Sequence, residues 1–221
     1  FLLSADVLFT GLARAFHCKV GMDTLCALSV IFTLADGLVL AMVQNREGQL
    51  PYTAAVLVGL FFLTHGTYHQ KCGLRLACRT AAAAAEPYLL TLDEGKWNGR
   101  DTYCKWSGVP NGFGSQIQTD DGAQRIYRRY CPILLLACLL FSILSSVAAN
   151  RPEYLLWCLS ATFTSAAAFG SALVYGRPFH KVTRRLSQTG AALAGWPGLL
   201  QTRKGDRVLI YEGDLFPPGY V

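Results

Sequence analysis

Along this chain, apolar runs of membrane-spanning length alternate with short polar turns and one long polar loop. One charge-free run includes Tyr154–Tyr175, 22 positions. At 1.5 Å per residue it is long enough to cross a hydrocarbon core of about 30 Å. Thr24–Val43 is a second run, interrupted only by Asp36, and Pro51–His69 and Cys131–Ala149 are two more. Gln44–Leu50 and Asn150–Glu153 are short connections. The pattern therefore predicts four transmembrane helices in two hairpins, over 21–70 and 131–180. Ahead of them, Phe1, Leu2, Leu3, Val7, Leu8, Leu12 and Phe16 repeat at helical spacing, with Arg14 and Lys19 behind. Residues 1–20 thus read as an amphipathic helix at the interface, or as the end of a span.

Composition agrees with that pattern. The 221 residues are 52% hydrophobic and 15% charged, where a soluble domain carries about 25% charged residues. The fold class is an α-helical multi-pass membrane protein. Its basic residues are distributed unevenly: eighteen lie in the amino-terminal arm, the 70–130 loop and the tail after 175, against two, Arg46 and Arg151, in the hairpin turns. By the positive-inside rule both termini and the long loop are cytosolic. The net charge of +6 then reflects topology and anionic lipid headgroups rather than nucleic acid. The eight cysteines do not imply disulfides, since most would face the cytosol or the bilayer. No cleavable signal peptide is visible. A chain that opens on Phe1 and stops on Val221 reads as a fragment of something longer, with a partner subunit or the remainder of that chain beside it.

The loop 71–130 holds an alanine run, Ala81–Ala85, and then a stretch rich in aromatics, acids and glycines. It reads as a small sheet-like or turn-rich cytosolic module. Asp93-Glu94 and Asp120-Asp121 are carboxylate pairs suited to acid–base or metal chemistry, although such pairs are more often solvated loop charges. After the fourth span come a basic collar (Arg177, Lys181, Arg184, Arg185), a small-residue segment (Gly190–Gly198), and Asp206–Asp214. Val208–Tyr211 are β-prone and run into Glu212 and Asp214, as a buried strand delivers acids to its carboxyl end.

Three features carry candidate metal chemistry. His65, His69 and Cys72 lie at i, i+4 and i+7, on one helical face at the end of the second span. They could hold a soft ion at the membrane entrance, or simply anchor the helix end at the interface. Cys26, Cys138 and Cys158 sit singly in three spans, as packing residues or, if they converge, as ligands for an ion such as Cu(I). Asp36 is costly in lipid and so marks a functional position by default.

Gly21–Ser29 reads GMDTLCALS, with the first span directly after it. This resembles the signature that opens a membrane helix in heavy-metal (class IB) cation-transporting P-type ATPases. The preceding FLLSADVLFTGLARAF is similar to that family's kinked platform helix, and the second span to the helix that follows. The resemblance implies an actuator-like domain in the 71–130 loop and the start of a phosphorylation-like, haloacid-dehalogenase-like domain over 181–221. It also implies an ion site at a kink near Ala167–Ser171. The sequence there is AAFGS, with neither the family's cysteines nor its proline. No Thr-Gly-Glu occurs in the loop and no Asp-Lys-Thr-Gly-Thr in the tail. In the family's register Glu212 stands at the nucleophile position and Asp214 at the second acid. ATP and Mg²⁺ are implied as cofactors only with a complete downstream domain. The resemblance points to the membrane portion of a heavy-metal pump with degenerate transport and phosphorylation motifs, or to a non-catalytic scaffold or regulatory protein of the same descent.

Overall fold

The computed structural model describes residues 5–17, 20–43, 48–108 and 111–202. In chain order these form α1 (Ala5–Phe16), α2 (Met22–Val43), α3 (Thr53–Ala82), a hairpin of β1 (Tyr88–Trp97) and β2 (Arg100–Ser107), and α4 (Phe113–Ile117). Then come α5 (Gly122–Ala148), a single 3₁₀ turn at Pro152–Tyr154, α6 (Leu155–Ala166), α7 (Ser171–Gln188) and α8 (Gly195–Gln201). Among the described residues, three helical stretches are long and apolar enough to cross a membrane: Met22–Val43, Gly122–Ala148 and Pro152–Gln188. On α5, Ile133, Leu136, Leu140, Phe141 and Leu144 remain exposed, a face suited to lipid tails.

Three of the expected spans differ in the structure. The run read as the second span does not stop at His69 but continues as α3 to Ala82. It is not among the three apolar stretches, because only its first half is apolar and histidine, glutamine, lysine and arginine follow from His65 onward. The run read as one continuous fourth span is two helices, α6 and α7, separated by Ala167–Gly170. A charge-free composition specifies residence in lipid, not an unbroken hydrogen-bond ladder. The third run begins earlier than its apolar residues do. Asp121 caps α5 by accepting from the Gln124 amide at 2.8 Å, so the helix starts at Gly122, well before Cys131.

The loop module is smaller than 71–130, since helices invade it from both ends. Its centre is an antiparallel hairpin that pairs Tyr88 with Ser107 and Asp93 with Thr102. The hairpin turns through Asn98-Gly99, both at positive φ (47° and 74°). That is the two-residue turn whose twist matches the strands, and Asn-Gly is its commonest sequence. The register is irregular between Asp93 and Trp97.

The apolar core lies where α2, α3, α5 and the α6–α7 junction meet. Leu25, Cys26, Val30, Val56, Leu60, Leu63, Cys131, Phe163 and Phe169 are all buried there. Within it α6 lies along α2 and α5, whereas α7 lies along α3. The interruption at 167–170 is the point where the chain passes from one groove to the other.

Candidate functional site at the broken helix

The site begins with the turn from α1 into α2. The Gly21 carbonyl accepts from the amides of Thr24 and Leu25 and from the Cys131 thiol at 3.3 Å. The Gly21 amide donates to Thr24 Oγ1 at 3.3 Å, and that hydroxyl donates to the Gly11 carbonyl at 3.2 Å. Asp23 pairs with Arg14 of α1. A Cβ on Gly11 would overlap the Asp23 backbone, so only glycine lets α1 lie this close across the start of α2. Each polar residue of GMDT thus bonds within the junction, and Asp6 of α1 reaches over to Lys71 of α3.

Beneath α1 is a cavity of about 150 Å³, room for several waters. Its polar lining residues are Asp6, Asp23, Asp121, Gln70, Gln124 and Lys71, with Thr10 and Thr67. Burial pushes the Asp121 carboxyl above its ordinary value, against the lowering effect of the Gln124 and Ala123 amides. The Lys71 hydrogen bond holds Asp6 below its ordinary value. Val7, Leu63, Met22 and Ala172 supply apolar lining, and Ser171 Oγ lies against the Met22 sulfur. The cavity therefore abuts the first turn of α7.

That turn is one edge of the helix break. Ala167 is extended, with φ −77° and ψ 118°. Two of the carbonyls at the break find protein partners. Tyr127 donates its hydroxyl to the Ala166 carbonyl at 3.3 Å, and Ser171 donates from both its amide and its hydroxyl to the Ala168 carbonyl. Phe169 is buried against Gly59 of α3. Irregular backbone at membrane depth is tolerated where protein covers it in this way.

The structure places the other sequence-derived residues as follows. His65 and His69 come together, with Nε2 atoms 3.2 Å apart. Cys72 does not join them; its side chain lies against the Tyr68 phenol. The third member is His180 of α7, whose Nδ1 is 3.0 Å from His69 Nδ1. Sequence reasoning missed it because it lies 111 residues away, and no local spacing links the two. Cys26 and Cys138 are buried in the shared core and Cys158 is half-buried. The Cys138 thiol donates to the Thr162 carbonyl. Asp36 is buried, 1% exposed, and continues at helical spacing the stripe of Ser29 and Thr33 that faces α6. Asp93 pairs with Lys96 and Asp120 with Arg128, so each acid pair has a structural partner. Glu212 and Asp214, with the strand expected over 206–214, lie outside the described residues.

Among the described residues no group of three or more His, Cys, Asp or Glu is arranged to hold a metal ion. No family model, curated protein or solved structure matches the chain.

Proposed function

We propose that this chain is the membrane portion of a protein of heavy-metal P-type ATPase descent. In this reading it keeps the pump-like helix arrangement and acts as a non-catalytic scaffold or regulatory subunit. The observation that carries the reading is the interruption at Ala167–Gly170. It falls where the resemblance expects an ion-site kink, although no proline is there to force it. The GMDT junction supports the same reading, because its residues seat an amphipathic helix across the head of a span. In the bilayer the three apolar stretches are joined by the first half of α3 as a fourth crossing, giving two hairpins with both termini cytosolic. His65 and His69 then stand where α3 leaves the hydrocarbon.

The acid-lined cavity beside the break favours a second reading, in which a cation still passes. Against it stand the missing Cys-Pro-Cys, Thr-Gly-Glu and Asp-Lys-Thr-Gly-Thr residues. Phosphoryl transfer depends on a positioned carboxylate, Mg²⁺ and a lysine that neutralises developing charge. Glu212 in the nucleophile register carries one extra methylene, and misplacement by ~1 Å costs on the order of 10²-fold in rate.

Sealed vesicles containing the natural full-length polypeptide separate the two readings. With ATP and Mg²⁺ we expect no uptake of Cu(I) or Zn²⁺ above that of empty vesicles, and no hydroxylamine-sensitive label from γ-labelled ATP. ATP-driven uptake together with a label abolished by Glu212→Gln would overturn the non-catalytic reading.

A further inference from the structure

Three imidazoles stand in a row between α3 and α7. His69 is in the middle, its Nε2 on His65 at 3.2 Å and its Nδ1 on His180 at 3.0 Å. The ring centroids are 4.6 Å and 5.2 Å apart. One metal ion would collect one lone pair from each ring, but His69 directs its two nitrogens at different neighbours. The arrangement is a chain, not a cage.

Counting protons shows what such a chain does. Three neutral rings support both hydrogen bonds, because each neutral imidazole has one donor and one acceptor. One added proton is also accommodated, since an imidazolium at His69 donates from both nitrogens. A second proton either charges both end rings, which the single acceptor of a neutral His69 cannot serve, or sets two cationic rings side by side. In each case one contact faces N–H against N–H and is replaced by repulsion.

Among the described residues, the charged side chain acting on the row is a cation. On α7, Arg177 acts on His69, and Lys181 and Arg184 follow His180. On α3, Phe61 stacks on His65 and Tyr68 meets His69 edge-on, with Cys72 behind Tyr68. Lys71 is turned to Asp6 of α1. Among the described residues no carboxylate pairs with any of the three rings. Partial burial first, then His65, His180 and Arg177, hold His69 below the ordinary imidazole value. His69 is in the polar half of α3, outside the three apolar stretches.

We propose that His65, His69 and His180 form a proton-operated latch that holds α7 on α3, closed at neutral pH and opened by acidification. A lowered folded-state value means that the released state takes up protons first as pH falls. The latch's contribution is therefore complete above about pH 6.5, the unperturbed imidazole value, and is lost progressively below it. The Gly66–Gly176 contact lies between the latch and the break, so the loosening is confined to α7 beyond Gly176.

The test is hydrogen exchange of the α7 amides at 179–186 in the full chain in lipid nanodiscs, at pH 7.5 and 5.0, corrected for the intrinsic rate at each pH. Protection should fall on the order of 10-fold, the factor carried by the loss of one hydrogen bond, with a midpoint below pH 6.5. His69→Gln keeps a donor and an acceptor but takes no proton, and should make protection independent of pH. His180→Gln should do the same, so a folding failure in one variant leaves the other decisive. A pH-independent wild type, or an equal fall in both variants, would overturn the latch. So would stoichiometric Zn²⁺ binding at pH 7.5 that requires all three histidines, since a cage and this chain are exclusive.

Discussion

The two halves of the interrupted span hold their neighbours by opposite means. On the α6 side, hydroxyls meet in pairs: Ser29 with Thr164 at 2.8 Å and Thr33 with Ser160 at 2.9 Å. The Phe32 and Phe163 rings lie beside them, 4.9 Å between centroids. On the α7 side the contact is made by what is missing. Gly59, Gly66 and Gly73 recur every seven residues along α3 and receive Phe169, the Ala172–Leu173 backbone and Phe179 in turn, while Gly176 faces the Gly66 carbonyl. Between helices in lipid there is no hydrophobic driving force, so hydrogen bonds and close packing must do the holding. The comparison separates them. A hydroxyl pair is a modular bond that can be lost singly, whereas a backbone-to-backbone approach has nothing that can yield.

The largest effect should therefore come from Gly66→Ala. Its new Cβ would overlap the backbone of Ala172 and Leu173, and relief requires α7 to move away. We expect a loss near the upper end of overpacking costs, about 3 kcal/mol, read as a fall of roughly 6–12 °C in Tm for a chain of this size. Unchanged thermal unfolding in bicelles would show that the close approach is not real. Gly59→Ala sharpens the point, because its Cβ would lie 2.6 Å from the Phe169 ring and a side chain can shift. Its cost should be nearer 1 kcal/mol and should be partly recovered by Phe169→Leu in the double variant.

On the other side, Thr33→Val removes one hydroxyl pair. Interhelical hydrogen bonds of this kind average about 0.6 kcal/mol and reach at most about 1.7. A double-mutant cycle with Ser160→Ala should show that the second substitution adds little, since the bond is already gone. Additive losses would mean that the two hydroxyls are not partners. The smallest effect belongs to the exposed Asp6–Lys71 pair. Lys71→Ala should cost no more than about 1 kcal/mol at pH 7. Asp6 is held below its ordinary value, so that contribution is present above about pH 4 and lost as pH falls through the folded value. Comparing wild type and variant at pH 7 and pH 3 should show the difference closing.

Parts of both interfaces could be read in advance. The seven-residue glycine spacing of α3 is visible in the chain, but its meaning depends on a partner that only the fold supplies. Asp121 followed by Gln124 is a helix-start signal that places the head of α5 well before the apolar run. Asn98-Gly99 between two β-prone stretches is likewise a hairpin signal. Both are local and legible without coordinates. His180 belongs to another class. It follows a span in a basic collar and looks like an interfacial anchor until α7 is laid against α3.

The sequence by itself determined three of the stretches apolar enough for lipid, that an amphipathic helix precedes them, and that a turn-rich polar module divides them. All of these are sums over neighbouring residues, so no fold is needed to evaluate them. The tertiary structure alone decided that the last apolar stretch breaks at Ala167–Gly170, that its halves choose different partners, and that an acid-lined cavity and a row of imidazoles form beside them. The reason is physical. A helix breaks where two grooves draw it in different directions and other helices satisfy the freed backbone. Those grooves are built by α2, α3 and α5, which lie far from the break in the chain.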